Sequence, residues 1–295
     1  RKSRNDPNAG CVSAPAVLPS FCTKTDKNPS GIARAKADNP SVPGQRAAPF
    51  LFPTSPPFSI MPVTSPPRAW AEIDLGAIRH NLNVVKQAAK GEYYMPVVKA
   101  AAYGHGLEQV CRTLDSEGIA FFGVANVGEA RRISQAGCRT RPYILGPAFP
   151  EEREEIVLNG WRSFISTIEE AVHYNSLARL YGKTLPIHIS VDTGMGRGGF
   201  LPDQLEELLS RLGELDSLYM EGLGAHLPCA DEDREITLRQ IARFEQMAAR
   251  IREKLPLKYC HLANSAASLD YEIPSNNMCR PGLVLYGFSP IPSPW

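Results

Sequence analysis

Residues 68–289 predict an α/β fold of the (β/α)8 barrel type. Eight short apolar runs alternate with helical patterns over about 220 residues, which is the texture of a closed parallel barrel. Gly118, Gly137, Gly160 and Gly213 close several of the helical stretches. The first apolar run lacks the glycine fingerprint that an open, doubly wound nucleotide-binding sheet carries after its first strand. A composition shift near Arg68 sets the barrel off from what precedes it.

Residues 1–67 hold 13 of the 26 prolines, with no helical or strand period, so a disordered leader is expected there. The chain begins at Arg1 and its first methionine is Met61, and the simplest reading starts translation at Met61. A basic, acid-poor leader also reads as an organelle transit peptide, although its prolines break the amphipathic helix such a peptide uses. In the body, Asp74 caps a helix with Leu75, Ile78, Leu82 and Val85 on one face. The strands follow as MPVVK (95–99), FFGVA (121–125), YILG (143–146), RSFIS (162–166), PIHISVD (186–192), YMEGLGAH (219–226), KYCHLANS (258–265) and NMCRPGLVLYG (277–287). Thr167 to Glu170 reads as a capping box.

Charge and cysteine usage exclude several classes. The leader carries a net +5 and the remainder −4, so a mildly acidic body with no basic stripe argues against nucleic acid as partner. No apolar run reaches the roughly 18 residues of a membrane span. The seven cysteines are odd in number and scattered without a C-x-x-C pair, which reads as reduced thiols in the cytoplasm and no metal site.

Within PVVKAAAYGHG (96–106), Lys99 stands at the expected end of the first strand, where an amine is ion-paired, snorkelling or used chemically. In a barrel the strand ends meet at one mouth. Read in order, they supply Lys99, Tyr103 and His105; Asp192 and Arg197 from VDTGMGRGG; His226; His261, Asn264 and Ser265; and Arg280 with Gly282. Each has a plain structural reading as well. Tyr103 covers a core with its hydroxyl in water, GMGRGG is a flexible turn, His226 is a core histidine, Asn264 and Ser265 begin a helix, and Arg280 is an ion-pair partner. Together they suit a phosphorylated aromatic aldehyde: a lysine to condense with it, Ser265 and amides near Gly282 for phosphate, and arginines toward ring oxygen and nitrogen. That is the chemistry of pyridoxal 5′-phosphate.

From about Arg68 onward the chain resembles the alanine racemases, in the motifs AWAEIDLGAIRHNL, VVKAAAYGHG, VDTGMGRGG, HLANSAAS and NMCRPGLVLYG, in that order. The resemblance implies a pyridoxal-phosphate enzyme interconverting L- and D-alanine, homodimeric when full length. It implies that Lys99 is the Schiff-base lysine and the base that takes the α-proton of D-alanine. Tyr103, Ser265 and the backbones of Gly282 and Leu283 then touch the phosphate. Arg197 approaches the ring hydroxyl and binds substrate, His226 lies near the ring, and Arg280 faces the pyridine nitrogen. Two departures stand out. Ser190 occupies a position where many members carry a carbamylated lysine, and the sequence stops at Trp295, in a linker over 290–295, where members continue into a β domain bearing a second, tyrosine base. A pyridoxal-phosphate carrier without turnover, or a racemase of the same plan acting on another amino acid, are the alternative expectations.

Overall fold

The structure is a computed structural model that describes residue 69 and residues 71–291. The expected leader and positions 292–295 of the expected linker lie outside the described residues. Among the described residues, eight parallel strands follow the order of the eight apolar runs: β1 Tyr93–Tyr94, β2 Phe122–Val124, β3 Pro142–Ile144, β4 Arg162–Ile165, β5 Leu185–Ser190, β6 Leu218–Gly224, β7 Tyr259–His261 and β8 Met278–Cys279. Strands β2 to β7 form one ladder in sequence order, and β1 pairs with β8. The ring closes at two seams. Val97 bridges Gly123, with Val98 N–H donating to Gly123 O and Gly123 N–H to Pro96 O, both at 2.8 Å. Between β7 and β8, asparagine side chains stand in for missing ladder bonds: Asn277 Oδ1 accepts from Cys260 N–H, and Asn276 Oδ1 from the Leu262 and Ala263 amides.

Among the described residues, and besides the short turn Lys99–Tyr103, eight helices surround the strands: α1 Leu75–Ala88, α2 Leu107–Leu114, α3 Val127–Gln135, α4 Arg153–Asn159, α5 Ile168–Leu180, α6 Pro202–Ser210, α7 Arg234–Arg252 and α8 Ser265–Asp270. Asp74 caps α1 through Ala77 N–H, and the helix buries Ile78, Leu82 and Val85. Each such side chain contributes about 1.5–3 kcal/mol when taken fully from water. Because only a 3-10 turn, Leu283–Tyr286, follows β8, α1 packs against that turn and between α2 and α8, completing the ring from the other end of the chain. Asn81 Nδ2 donates to Leu285 O at 3.0 Å across this contact.

The core has two layers, as a closed barrel requires. The larger lies between strands and helices, and Met95, Phe121, Tyr143, Tyr259 and Met278 form a separate cluster that fills the barrel. Some local expectations need correction. Helix α2 stops at Leu114, four residues before Gly118, and Gly213 lies inside a 3-10 turn after α6. Thr167 Oγ1 does accept from Glu170 N–H, but the Glu170 carboxylate reaches Ser166 N–H, one residue beyond the capping-box position. No helix among the described residues is long and apolar enough to cross a membrane.

Candidate active site

Lys99 does not end a strand. Past the Val97 bridge, Lys99–Tyr103 makes one turn of helix in which Ala100, Ala101 and Ala102 have φ of 52, 54 and 57°, and Tyr103 a φ of 54°. These are left-handed values, which L-residues avoid, and alanine gives no sequence sign of them. The turn is closed by Gly104, Gly106 and His105, whose amides donate to Ala100 O, Ala101 O and Ala102 O. His105 Nδ1 also sits 3.0 Å from Ala102 O, and its ring stacks on Tyr286 at 4.6 Å. His105 therefore braces the turn instead of entering the mouth. Lys99 itself is exposed and has no hydrogen bond or ion pair among the described residues.

Beside it, three residues from distant elements meet. Gly282 N–H donates to Ser265 Oγ at 2.9 Å, leaving the serine proton free to donate elsewhere. A Cβ on Gly282 would lie 3.0 Å from the Tyr103 hydroxyl, so a larger residue would crowd this corner. Burial pushes the Tyr103 phenol up from its ordinary value, which keeps it a neutral donor. Tyr103 also packs on Tyr286, whose hydroxyl donates to Val97 O. Leu283 is exposed at the start of the following turn.

Arg197 is carried by the loop after β5. Asp192 shapes that loop and is not aimed at the mouth: its Oδ1 accepts from Gly194, Met195 and Gly196 amides, and its Oδ2 from Gly196. Gly194, Gly196 and Gly199 take φ of 128, 71 and 120° here, so the glycine cluster is a built turn. Arg197 is exposed, with no hydrogen bond or ion pair among the described residues. His226 is held down to about 3, first by burial and then by the charges of Arg280, Arg197 and Lys99. Its ring is uncharged at neutral pH, in a mouth ringed by three cations. Asn264 caps α8 through Ala267 N–H, which fixes Ser265 in the helix's first turn.

Arg280 is buried and heads a polar line down the barrel. Its guanidinium donates to His261 O, to Ala225 O at 2.7 Å and to His261 Nδ1 at 2.8 Å. Burial pushes its pKa down to about 10, so it stays a cation at neutral pH. An arginine only donates, so His261 Nδ1 accepts and the neutral ring carries its proton on Nε2, 2.8 Å from His188 Nδ1. The same reasoning puts the His188 proton on Nε2, 3.5 Å from Glu221 Oε2. Glu221 in turn takes two hydrogen bonds from Arg162 at 2.8 and 3.2 Å. Burial raises the Glu221 pKa, but its bonds to His188 and Arg162 outweigh this and hold it at about 2. His188, Glu221 and Arg162 went unread in the sequence. Their signal was charge inside strands that otherwise read as apolar, in RSFIS, PIHISVD and YMEGLGAH.

The profile described as "Alanine racemase, N-terminal domain" matches residues 73–290. The chain belongs to the alanine racemase family. It is 38% identical over 223 residues to the alanine racemase of Carboxydothermus hydrogenoformans, covering 75% of this chain and 60% of that protein. It is 37% identical over 227 residues to that of Geobacter sulfurreducens, covering 75% and 59%. Among solved family structures, alanine racemase of Clostridium difficile 630 superposes with TM-score 0.71 at 32% identity, over 76% of this chain and 62% of that one. The Bartonella henselae family member, solved with covalently bound pyridoxal phosphate, gives 0.66 at 26%, over 74% and 60%. The chain thus spans about 60% of the length of the family relatives it matches.

Proposed function

We propose that this chain is the barrel of an alanine racemase, holding pyridoxal phosphate on Lys99 and using the Lys99 amine to move the α-proton of alanine on one face. The observation that carries the reading is the meeting of Tyr103, Ser265 and Gly282 at one corner of a mouth that also holds the exposed Lys99 amine. These residues fit the cofactor. The corner offers two neutral hydroxyl donors beside a glycine whose missing side chain leaves room for an anion, and the surrounding charge is positive. Leu283, exposed next to Gly282, adds its backbone to the phosphate corner.

Bound there, pyridoxal phosphate supplies an electron-withdrawing ring that acidifies the α-proton of a bound amino acid. Lys99 takes that proton from D-alanine. Arg197, without a hydrogen bond or ion pair among the described residues, would be the residue to hold the ring hydroxyl and the substrate carboxylate. His226 would stand near the ring as an uncharged imidazole. Arg280, cationic and donor-only, would face the pyridine nitrogen and leave it unprotonated, a weaker electron sink that would favour return of a proton over transamination. Ser190, at intermediate burial on β5, takes the place of the carbamylated lysine that steadies the arginine in many members. The opposite face needs its own acid and base, assigned here to the tyrosine of the β domain that follows the barrel in the family. The reading implies alanine as substrate, a homodimer as the working assembly and the cytoplasm as its place.

The test is α-proton exchange in heavy water, with cofactor added to the 295-residue chain. D-alanine should lose its α-proton slowly with little L-alanine formed, and L-alanine should exchange more slowly still. A positioned acid or base contributes on the order of 10² to 10⁴ in rate, so a face served by no such group is visible as the slower exchange. Equal exchange of both enantiomers, or brisk racemisation, would show a second base within the barrel.

A further inference from the structure

The left-handed turn that follows Lys99 runs against the preference of its own residues. Alanine is the strongest former of right-handed helix, and the segment Lys99-Ala100-Ala101-Ala102 would take that hand if left alone. Something outside the turn selects the other hand. Glu129 stands in the first turn of α3, whose cap, Asn126, accepts from the Glu129 amide at 3.0 Å. Its carboxylate reaches away from its own helix. Oε1 accepts from Ala100 N–H at 2.6 Å and lies 3.4 Å from Ala101 N, while Oε2 accepts from Ala125 N–H at 2.9 Å. One side chain therefore ties the segment leaving β1 to the segment leaving β2, and takes up the amides that open the turn. Charge-assisted bonds to backbone amides are the stronger kind, and here they fall on the residues directly after Lys99. Lys99 is the residue that opens the turn, so the hand of the turn sets the backbone immediately after the residue that bears the amine.

We propose that Glu129 is the positioning residue for Lys99: it selects the left-handed turn and so aims the amine into the mouth. The role rests on the reading of Lys99 as the residue that takes pyridoxal phosphate. Glu129 acts only through the backbone, so it carries no proton for the reaction.

The experiment compares wild type, Glu129→Ala and Glu129→Gln by two readouts. The first, amide hydrogen exchange without cofactor, follows Ala100, Ala101 and Ala125, with Val124 and Ile187 as strand references. The second is titration with pyridoxal phosphate, read as the visible band and as the borohydride-fixed adduct on Lys99. Glu129→Ala should speed exchange at Ala100 and Ala101 by about tenfold or more while leaving the references within about twofold, and should weaken the Lys99 adduct by about tenfold, the scale of one lost bond to a charged acceptor. Glu129→Gln keeps the volume and one acceptor oxygen and should fall between. Unchanged exchange at Ala100 and Ala101, or an unchanged adduct constant, overturns the proposal. Where the alanine variant does not fold, a glutamine variant equal to wild type in both readouts overturns it as well. Absence of any Lys99 adduct in the wild type overturns the cofactor reading and the aim of the amine with it, whereas exchange judges the clamp by itself.

Discussion

His261 accepts a hydrogen bond from Arg280 at 2.8 Å and donates one to His188 Nδ1 at 2.8 Å, so a polar line runs from the guanidinium at the mouth to a histidine 3.5 Å from a carboxylate deep in the barrel. The far end of that line is the bidentate pair of Arg162 and Glu221, both nearly buried. Removing one partner of such a pair strands the other charge. Glu221→Ala should cost about 3–5 kcal/mol in denaturant unfolding. A loss under 1 kcal/mol would mean that water reaches Arg162 and the line is not closed.

The same line sets an acid limit. His188, His226 and His261 all lie below the ordinary histidine value of 6.5, burial being the first cause in each, with His226 at about 3. Their unfolded forms bind protons that the folded forms refuse. Stability is therefore fully present above about pH 6.5 and falls as pH drops toward the folded values, at up to about 1.4 kcal/mol per pH unit for each histidine. Unfolding at pH 7.5, 6.0 and 5.0 should show the fall, and His226→Gln should flatten it by about one proton. A slope unchanged by that substitution would place His226 in water.

At the corner formed by Tyr103, Ser265 and Gly282, Gly282→Ala brings a methyl to 3.0 Å from the Tyr103 hydroxyl. The fold should survive, and affinity for pyridoxal phosphate should fall about tenfold or more as Tyr103 shifts, the scale of one misplaced donor. Adding Tyr103→Phe should then cost less than it does alone, because the two changes act on one contact. Full additivity in the double-mutant cycle would separate the two residues.

The turn after Lys99 gives a stability test independent of cofactor. Ala101→Gly relieves a left-handed alanine and should stabilise by about 1 kcal/mol, whereas Ala101→Val, β-branched at φ 54°, should destabilise by more than that. Equal stability of both variants would contradict a left-handed turn.

Strand order was legible because parallel barrel strands are apolar runs bounded by turn residues, and each of β1 to β8 overlaps or directly adjoins its run. The strand ends were less so. Nothing in KAAAY announces a left-handed turn, since its hand is set by Glu129, 30 residues away in sequence from Lys99 and in another βα unit. Asp192 and His105 were read toward the mouth because a strand-end position does not say whether a side chain faces the opening or its own loop. The interior line was hidden for a related reason. His188 and Glu221 each sit among apolar neighbours, and only closure of the barrel brings them to face one another. Gly282, Ser265 and Tyr103 come together through the same closure, from elements 17 and 162 residues apart in sequence from Ser265.

The most direct test is to load the protein with pyridoxal phosphate, reduce with borohydride and map the modified peptide by mass spectrometry. The expected result is a visible band lost on reduction and a single adduct on Lys99, absent from Lys99→Arg. An adduct on Lys183 or Lys254, or on no lysine, would contradict the assignment of Lys99 and the function built on it.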